Sequence, residues 1–402
     1  MRQLILSILA VLSVAAGQPC GILAQECIPH TFSPSSPTPK WISGVEYNAP
    51  TNQLVFSNPA DGFLWALDLG NNKWDILNKN PTTGESTFKP LTLGKAGDDI
   101  LVETKGRIVL ILDNTLNMCG EFNLQSSSSS QPTHLGSLHN GWIVHNDSLL
   151  GFGSVRSLGQ DVTEVSNSNT KRDYVLGFVK AHYEPRIGIE NAQVIGPPFA
   201  DESNRNIFHR LGLPLFAATE TGLFFLEMTP KQVSLWRVDE SGNGALTRRP
   251  IKAIPQGFER PEAIKPLPQP SDKLDTVAQT YGEIQRKTMV SGLFGQRKML
   301  YLLTRQPINA DGSHTLWMLH PVDPANPRAV FQPKYLPTIA ANLHLIPDEE
   351  RWYLVEQGPV NAWGDQQIGR VLEIPAAWIT NPDNQTLTRE PDHDLCSPQR
   401  RP

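Results

Sequence analysis

A unit of four short strands joined by tight turns constrains this chain most, because variations on it recur along most of the sequence. Its clearest copy is Ser43–Leu77, with predicted strands at Leu54–Ser57, Phe63–Asp68 and Lys73–Leu77 and turns rich in Pro, Asn, Asp and Gly. Four short strands cannot bury both faces alone, so such a unit needs neighbours of its own kind. The segment is therefore predicted to be one blade of a β-propeller.

Further copies follow along the chain. Their predicted entry points are Pro90, His139, Asn206, Phe258 and Ile339. The last copy lacks an outer strand, which either the chain end or the segment near Cys27 would supply. The pattern predicts an all-β fold, a six-bladed β-propeller of four-stranded blades, although five or seven blades also fit it. Period-2 alternation in the clearest copies predicts half-buried strands.

Composition agrees with a single domain of many turns. A chain of 402 residues with 34 prolines, 30 glycines and 19% charged residues suits repeated short strands better than long helices. Two polar insertions interrupt the repeats, at Ser157–Arg172 and Lys265–Lys287. The second is the longer, and we expect it to form a lid.

The first residues have the layout of a secretory signal. A lone Arg2 precedes the apolar run Leu4–Ala16, which ends in small residues at Ala15 and Gly17. The run is too short for a membrane span. We predict a signal peptide at 1–17, with a second cleavage point after Ala24, and a single propeller domain at 18–402 that is secreted or lies in the secretory-pathway lumen, with no membrane span in the mature chain.

Cysteine number and sequons fit that compartment. The mature chain would keep four cysteines, at Cys20, Cys27, Cys119 and Cys396. In an oxidising compartment four cysteines predict disulfides with three possible connectivities. We favour Cys27 with Cys396, since a ring made from one chain must bring its ends together; buried thiols are the alternative. Asn146 and Asn384 lie in glycosylation sequons, which matter in a eukaryotic host.

Several function classes lack support. The formal charge of −5 comes without a Lys/Arg cluster, so no nucleic-acid partner is expected. The sequence has no Ser-His-Asp elbow, no phosphate-binding Gly loop, no zinc spacing and no Cys-x-x-Cys pair. His344 lacks a paired metal ligand close by.

The chain enters each propeller blade at the central channel, so the entry residues of all blades converge on one mouth. A pocket there would collect one or two side chains per blade. The predicted entry positions are Ser43, Thr92, Asn140, Asn206, Glu262 and Ala340.

Three residues near this mouth are candidate catalytic groups. Arg156 follows a strand end and could hold an anionic or carbonyl oxygen, or simply pair with a loop carboxylate. His209 precedes the fourth copy and could line a pocket. Glu262 would be a general acid or base with a raised pKa if it were buried in the channel, and a turn cap otherwise.

Three tryptophans are candidate walls for an apolar substrate. Trp142 lies between His139 and His145 in the third copy, and Trp352 and Trp363 would, by base rate, mostly be core residues. Trp363 lies on the loop Gly358–Asp365, and an aromatic side chain on such a loop often stacks on a ligand.

Two stretches resemble the regucalcin/gluconolactonase family. The segment Asn140-Gly-Trp-Ile-Val-His-Asn-Asp-Ser-Leu-Leu-Gly-Phe-Gly-Ser-Val resembles the family blade whose opening Asn is a calcium ligand, and Ser43–Asp68 matches the opening blade in spacing. The resemblance implies a propeller with a calcium site at Asn140. However, Ser43 stands where the family has a metal-binding Glu, and Glu46 lies three residues further along. Since a hard cation needs several oxygen ligands, we predict no cofactor, with Ca²⁺ near Asn140 as the alternative.

The overall character also resembles the secreted fungal hetero-Diels-Alderases, which look like metal-less relatives of that family. This resemblance implies a metal-independent enzyme of secondary metabolism that joins a quinone methide to a terpene. Arg156, His209 and Glu262 would be its donors and bases, Ser43, Asn140 and the tryptophans its substrate contacts, and orientation would supply much of the barrier reduction. The alternatives are a calcium-dependent lactonase or esterase and a non-catalytic ligand- or protein-binding propeller. The expected partner is a small molecule, and the oligomeric state is open.

Overall fold

The computed structural model describes residues 27–32, 37–40, 42–105, 108–123, 133–145, 147–157, 175–184, 188–194, 216–228, 233–240, 246–251, 288–358 and 367–388. Residues 1–26, which include the predicted signal peptide, lie outside these ranges. The regular secondary structure of the described residues is almost entirely β-strand, as predicted. Among its helices, none has the length and apolar character that crossing a membrane requires.

The described strands form six units of four strands each. Unit 1 contains β2 (Gly44–Asn48), β3 (Gln53–Asn58), β4 (Phe63–Asp68) and β5 (Lys73–Ile76). Unit 2 contains β6 (Pro90–Ala96), β7 (Asp99–Thr104), β8 (Ile108–Leu112) and β9 (Met118–Asn123). Unit 3 contains β10 (Thr133–His145), β11 (Ser148–Ser157), β12 (Val175–Glu184) and β13 (Gly188–Val194).

The second half of the chain continues the pattern. Unit 4 contains β14 (Phe216–Thr219), β15 (Gly222–Met228), β16 (Val233–Glu240) and β17 (Leu246–Ile251). Unit 5 contains β18 (Met289–Gln296), β19 (Met299–Pro307), β20 (Thr315–Val322) and β21 (Lys334–Tyr335). Unit 6 contains β22 (Asn342–Pro347), β23 (Arg351–Gln357), β24 (Ile368–Pro375) and the early strand β1 (Ile28–Thr31), and a short helix α1 (Ala376–Thr380) follows it.

The units have a β-propeller arrangement. Within each unit, consecutive strands pair antiparallel, and the first strands β2, β6, β10, β14, β18 and β22 contact one another in a closed cycle. The first strand of each unit is therefore innermost, beside a central channel, and the last strand is outermost. We call the end of the channel where the first strands begin the entry end.

The sheet count differs from the predicted six separate blades. Four sheets have four strands each, whereas units 2 and 3 form one eight-stranded sheet. The joint is a short parallel pairing of β10 with β6, Trp142 with Gly94 and Ile143 with Lys95. Gly94 permits it, because a Cβ there would lie 2.6 Å from the Trp142 carbonyl oxygen. In the sequence, the glycine itself is the only sign of such a close approach between two strands.

Units 4 and 5 differ in part from the prediction. Their first described strands are Phe216–Thr219 and Met289–Gln296, and the second of these was not predicted. The entries placed at Asn206 and Phe258 lie outside the described residues. The outer strand of unit 4, Leu246–Ile251, was missed because its Arg-rich sequence lacks apolar alternation. In unit 5 the outer strand is Lys334–Tyr335 and not the predicted 329–332 segment, where Val330 is 96% exposed.

The missing outer strand of unit 6 comes from the beginning of the chain. Strand β1 pairs antiparallel with β24, from Ile28 opposite Glu373 to Thr31 opposite Arg370. Of the two predicted sources, the segment near Cys27 is thus the correct one. The first and last parts of the chain close the ring together.

The core lies between neighbouring sheets. Leu54, Val55 and Phe56 are consecutive on β3 and all fully buried, so both faces of this second strand are covered. The prediction of half-buried strands is wrong for such middle strands, because each sheet packs between two others. Alternation survives on the outer strand β5, which has one face exposed.

Candidate active site in the central channel

Two inner strands carry an ionisable residue at the same position of the ladder. Glu46 on β2 pairs with Val55, two residues beyond the first ladder pair, Gly44 with Ser57. His344 on β22 pairs with Val355, two residues beyond the pair Asn342 with Gln357. Strands β2 and β22 are neighbours in the ring. A carboxyl and an imidazole thus occupy equivalent ladder positions on two neighbouring inner strands.

Glu46 points away from the hydrophobic cluster between units 1 and 6. Its neighbours Val45 and Tyr47 pack into that cluster, so the alternation of the strand turns Glu46 toward unit 2. There it meets the charge of Lys95, whose Nζ donates a hydrogen bond to the Tyr47 carbonyl oxygen at 3.2 Å. The Glu46 side chain is only partly covered from solvent, although the ring surrounds it. Glu46 is thus partly open to solvent and yet surrounded by protein atoms, as expected of a side chain beside a channel.

The environment of Glu46 changes its acidity. Burial raises the pKa of Glu46 from 4.5 to about 7, while the Lys95 charge acts in the opposite direction. No hydrogen bond or ion pair within 4 Å holds this carboxyl among the described residues. A carboxyl with a pKa near neutrality and no fixed partner can both donate and accept a proton, as a general acid or base must.

His344 is a neutral imidazole. Burial lowers its pKa, and a hydrogen bond with Gln357 opposes the shift. Its Nε2 lies 2.9 Å from Gln357 Oε1, so Nε2 donates and Nδ1 keeps the lone pair. Because Leu343 and Leu345 pack toward unit 5, His344 faces the opposite side of its strand. It can therefore serve as a hydrogen-bond acceptor through Nδ1.

The entry end of the ring is lined by buried polar residues, which we call the entry collar. In units 1, 2, 5 and 6 the second strand passes from apolar residues to polar ones at its end, beside the start of the first strand. The collar comprises Ser57, Asn58, Glu103, Thr104, Thr304, Arg305, Glu356 and Gln357, none more than 8% exposed. Buried polar groups at repeated positions are costly unless they are hydrogen-bonded or used in binding. The predicted mouth, formed by the entry residues of the blades, stays a prediction.

The collar groups of units 5 and 6 are ordered by specific contacts. Burial lowers the pKa of Arg305 to about 10, and its guanidinium lies 5.8 Å from the centre of the Trp317 ring. Arg370 Nε donates to Glu356 Oε2 at 2.6 Å. The other oxygen, Glu356 Oε1, is buried and accepts no hydrogen bond from the described residues. It can still accept one from a bound molecule.

Ser43 does not fit a calcium site. Its Oγ lies 2.9 Å from Ser57 Oγ and donates a hydrogen bond to the Leu91 carbonyl oxygen. These bonds join unit 1 to the start of β6 and give the hydroxyl a structural role, and its contact with a substrate stays a prediction. In the part of the chain that the structure describes, no three His, Cys, Asp or Glu residues are grouped as a metal ion requires.

Two of the predicted aromatic walls belong to the core. Trp142 is 1% exposed and packs over Gly94 at the joint of units 2 and 3. Trp352 is fully buried, packs edge-on against Tyr301 and donates from Nε1 to Gln296 Oε1 at 2.7 Å. Both predictions of substrate contact are therefore corrected, because these rings fill space between sheets.

The other predicted site residues fall wholly or partly outside the described chain. Arg156 lies on β11 opposite His134, and Asn140 lies in an irregular stretch of the β10–β11 register, but their side chains are not described. His209, Glu262 and Trp363 lie outside the described residues, as do Asn206, Asn146 and both polar insertions apart from Ser157 at the end of β11. The first described strand of unit 5 begins at Met289, and the placement of Glu262 at that unit's entry stays a prediction.

The cysteine and sequon predictions are only partly addressed. Cys119 lies exposed on β9, and its Sγ donates to the Ile111 carbonyl oxygen at 3.5 Å. The pairing of Cys27 with Cys396 stays a prediction, because Cys20 and Cys396 lie outside the described residues. Asn384 lies in a turn after α1, where its Oδ1 accepts from the Thr386 amide at 2.9 Å, and its glycosylation also stays a prediction.

Glu46 and His344 were not selected from sequence. Glu46 was considered only as a substitute metal ligand and His344 only as an unpaired metal ligand. Their shared signal is a titratable residue between apolar neighbours near the start of a first strand. That signal is informative only once the ladder registers are known.

Comparison with known proteins does not assign this chain to a family. No protein-family model matches the chain, and no curated protein matches it in sequence. Solved structures of similar architecture include a luciferin-regenerating enzyme (8% identity, TM-score 0.45, covering 87% of this chain and 95% of that one). They also include a gluconolactonase from Xanthomonas campestris (12%, 0.44, 87% and 94%) and the WD40 repeats of RRP9 (10%, 0.42, 87% and 97%). These identities and TM-scores are too low to transfer an activity to this chain.

Proposed function

We propose that this chain is an enzyme that transforms a small, largely apolar molecule in its central channel by acid–base chemistry, with Glu46 as the proton-transferring group. The observation that carries the proposal is the Glu46 carboxyl on inner strand β2, which has no hydrogen bond or ion pair within the described residues and whose pKa burial raises to about 7. Near neutral pH this group is present in both forms. His344, at the same ladder position on the neighbouring strand, supplies an acceptor.

We also propose that the chain is secreted and that its ring has six blades. Support for six comes from the closed cycle of the six first strands, each followed by antiparallel neighbours. Support for secretion comes from the apolar run and small residues before residue 18. The joint between units 2 and 3 is then a local contact of two blades.

The proposed reaction is a hetero-Diels-Alder cyclisation. The Glu46 carboxylic acid gives its proton to the hydroxyl of an ortho-hydroxybenzyl alcohol, the carbon–oxygen bond breaks, and water leaves. The phenolic proton returns to the Glu46 carboxylate, so an ortho-quinone methide remains without any net change of oxidation state. An alkene of the second substrate then adds across it, forming one carbon–carbon and one carbon–oxygen bond. Holding the two partners in one orientation lowers the barrier.

The entry collar would position the polar ends of the substrates. Glu356 Oε1 can accept from a substrate hydroxyl, and the Arg305 guanidinium can face a carbonyl or phenolate oxygen. Arg156, His209, Glu262, Asn140 and Trp363 remain proposed contributors at this mouth.

A cycloaddition assay tests the proposal. The mature chain is incubated with an ortho-hydroxybenzyl alcohol and an alkene-bearing terpene, and cycloadducts are followed by liquid chromatography and mass spectrometry. We expect formation above the uncatalysed rate, with a pH dependence centred near 7, and a loss of about a hundredfold or more in Glu46→Gln. The matched control is Glu121→Gln, which removes an exposed carboxylate on the outer strand β9 and should leave the rate unchanged.

Two other outcomes would overturn the proposal. Hydrolysis of a lactone panel that depends on added calcium, without cycloadduct, would identify a lactonase. Binding of either substrate without turnover, unchanged in Glu46→Gln, would identify a binding propeller.

A further inference from the structure

A buried ion pair holds the strand that closes the ring. His30 on β1 is 4% exposed and Glu373 on β24 is 7% exposed. His30 Nε2 lies 2.5 Å from Glu373 Oε1. Because His30 is opposite Val371 and Ile28 is opposite Glu373, the pair is a diagonal contact across the two strands. It therefore links the first strand of the chain directly to the last sheet.

The second nitrogen of His30 reaches unit 1. Its Nδ1 is within hydrogen-bond distance of Asn72 Oδ1. Asn72 lies in the turn between β4 and β5 and has a φ of +57°, a conformation that Asn adopts more readily than most residues. One side chain thus bridges the last sheet of the ring and a turn of the first.

Both ring nitrogens face oxygen acceptors, which fixes the charge state. A neutral imidazole has one N–H and one lone pair, so one nitrogen would direct its lone pair at an oxygen. Only the imidazolium donates to both Glu373 and Asn72. With the Asn72 amide oxygen facing Nδ1, the arrangement corresponds to a protonated His30.

Among the described residues, few other titratable groups lie near this pair. Arg351 on β23 approaches the other carboxylate oxygen, with its Nε 3.6 Å from Glu373 Oε2. The hydroxyls of Tyr47 on β2 and Tyr353 on β23 are also close enough to feel the Glu373 charge. After His30 loses its proton, Arg351 would be the remaining cation at the carboxylate.

We propose that His30 and Glu373 form a pH-sensitive clasp, which holds β1 on the last sheet while His30 is protonated and loosens when the proton is lost. Burial alone would lower the pKa of His30, but the hydrogen bonds to Glu373 and Asn72 and the Glu373 charge raise it above 6.5. The sign follows from linkage: a raised histidine pKa gives stability that is complete below the unfolded-state pKa and is lost as the pH rises through the folded-state pKa. The ring is thus closed most firmly at acid pH.

Hydrogen exchange of the whole mature chain tests this. The protection of β1 amides is compared with that of β17 amides, since β17 is also an outer strand and contains neither histidine nor carboxylate. Between about pH 5 and about pH 8, we expect the ratio of β1 to β17 protection to fall by up to about tenfold per pH unit above the unfolded-state pKa. A constant ratio in the unmodified chain would overturn the proposal.

Two variants separate the clasp from a general effect of pH. His30→Gln keeps hydrogen-bonding groups but cannot titrate, so its ratio should not change with pH; an unaltered pH response would overturn the proposal. Asn72→Asp is an exposed change that puts a negative charge beside Nδ1, so the midpoint of the transition should move to higher pH. This second variant is informative even if His30→Gln fails to fold, and an unmoved midpoint would also contradict the clasp.

Discussion

At the scale of single residues, three inner-strand glycines set how closely neighbouring units approach. A Cβ on Gly44 would lie 2.9 Å from the Leu93 amide nitrogen, and one on Gly94 would lie 2.6 Å from the Trp142 carbonyl oxygen. A Cβ on Gly295 would overlap the Ala218 carbonyl group. These contacts join strands of consecutive units, so the absent side chains let the ring close tightly.

Gly94→Ala should be strongly destabilising for this reason. The added methyl group meets backbone, which cannot rotate away, and we expect a loss of about 2–3 kcal/mol in the free energy of unfolding. Gly120→Ala is the matched control, because its Cβ would make an ordinary 3.4 Å contact with Ile111 Cδ1. Urea denaturation of both variants measures the difference, and equal midpoints would contradict the interpretation.

Glu46→Gln should stabilise the protein above neutral pH. Since burial raises the folded-state pKa of Glu46 from 4.5 to about 7, the folded state binds more protons than the unfolded state between these values, and stability falls as the pH rises through that window. The amide removes this penalty. We expect a higher melting temperature than the unmodified chain at about pH 8 and no difference at about pH 4. A lower melting temperature at about pH 8 would show that ionised Glu46 is stabilised and would remove the basis of its acid–base role.

At the scale of elements, one buried asparagine fixes the path from unit 1 to unit 2. Asn78 Oδ1 accepts from the Leu64 amide at 2.8 Å, and its Nδ2 donates to the Gly62 and Phe88 carbonyl oxygens at 3.1 and 2.7 Å. The side chain thereby ties strand β4 to the segment that leads into β6.

Asn78→Ala should disorder this connection. It would remove the partner of the buried Leu64 amide and of the Gly62 carbonyl oxygen, while the Phe88 carbonyl oxygen keeps its bond from Ser86 Oγ. We expect a cost of about 2–4 kcal/mol for the two groups. Asn80→Ala is the control, since its Oδ1 accepts only from the exposed turn amides of Thr82 and Thr83. Limited proteolysis between residues 78 and 88 should be faster in Asn78→Ala alone. Equal cleavage in the two variants would show that the strands hold the segment without Asn78.

At the scale of the whole molecule, stability depends on closure by β1. A chain that lacks the residues up to Phe32 would lose the outer strand of unit 6 and leave the β24 edge unpaired. We expect a melting temperature lower by at least about 5 °C, and association through the exposed edge. Val330→Ser, at a residue that is 96% exposed, should leave both properties unchanged. A truncated chain with an unaltered melting temperature would show that the ring closes without β1.

The sequence was most informative where local pattern and turn chemistry agree. Unit 1 was predicted almost to the residue, because its turns carry Asn52, Gly62 and Asn72, the three positions in it with positive φ. The first described strand of unit 5 was not predicted because it follows a long polar insertion. The outer strand of unit 4 was missed because solvent-facing outer strands need little apolar alternation.

The sequence by itself determined the all-β class and the repeat, since short apolar strands between turns can bury themselves only against copies. Tertiary structure alone decided which residues face the channel. Glu46 and His344 are 298 positions apart by their numbers, and Trp142 and Trp352 look like pocket walls until the packing of the sheets covers them. A one-residue shift in register reverses the face of every side chain, so these assignments depend on pairings that no local pattern records.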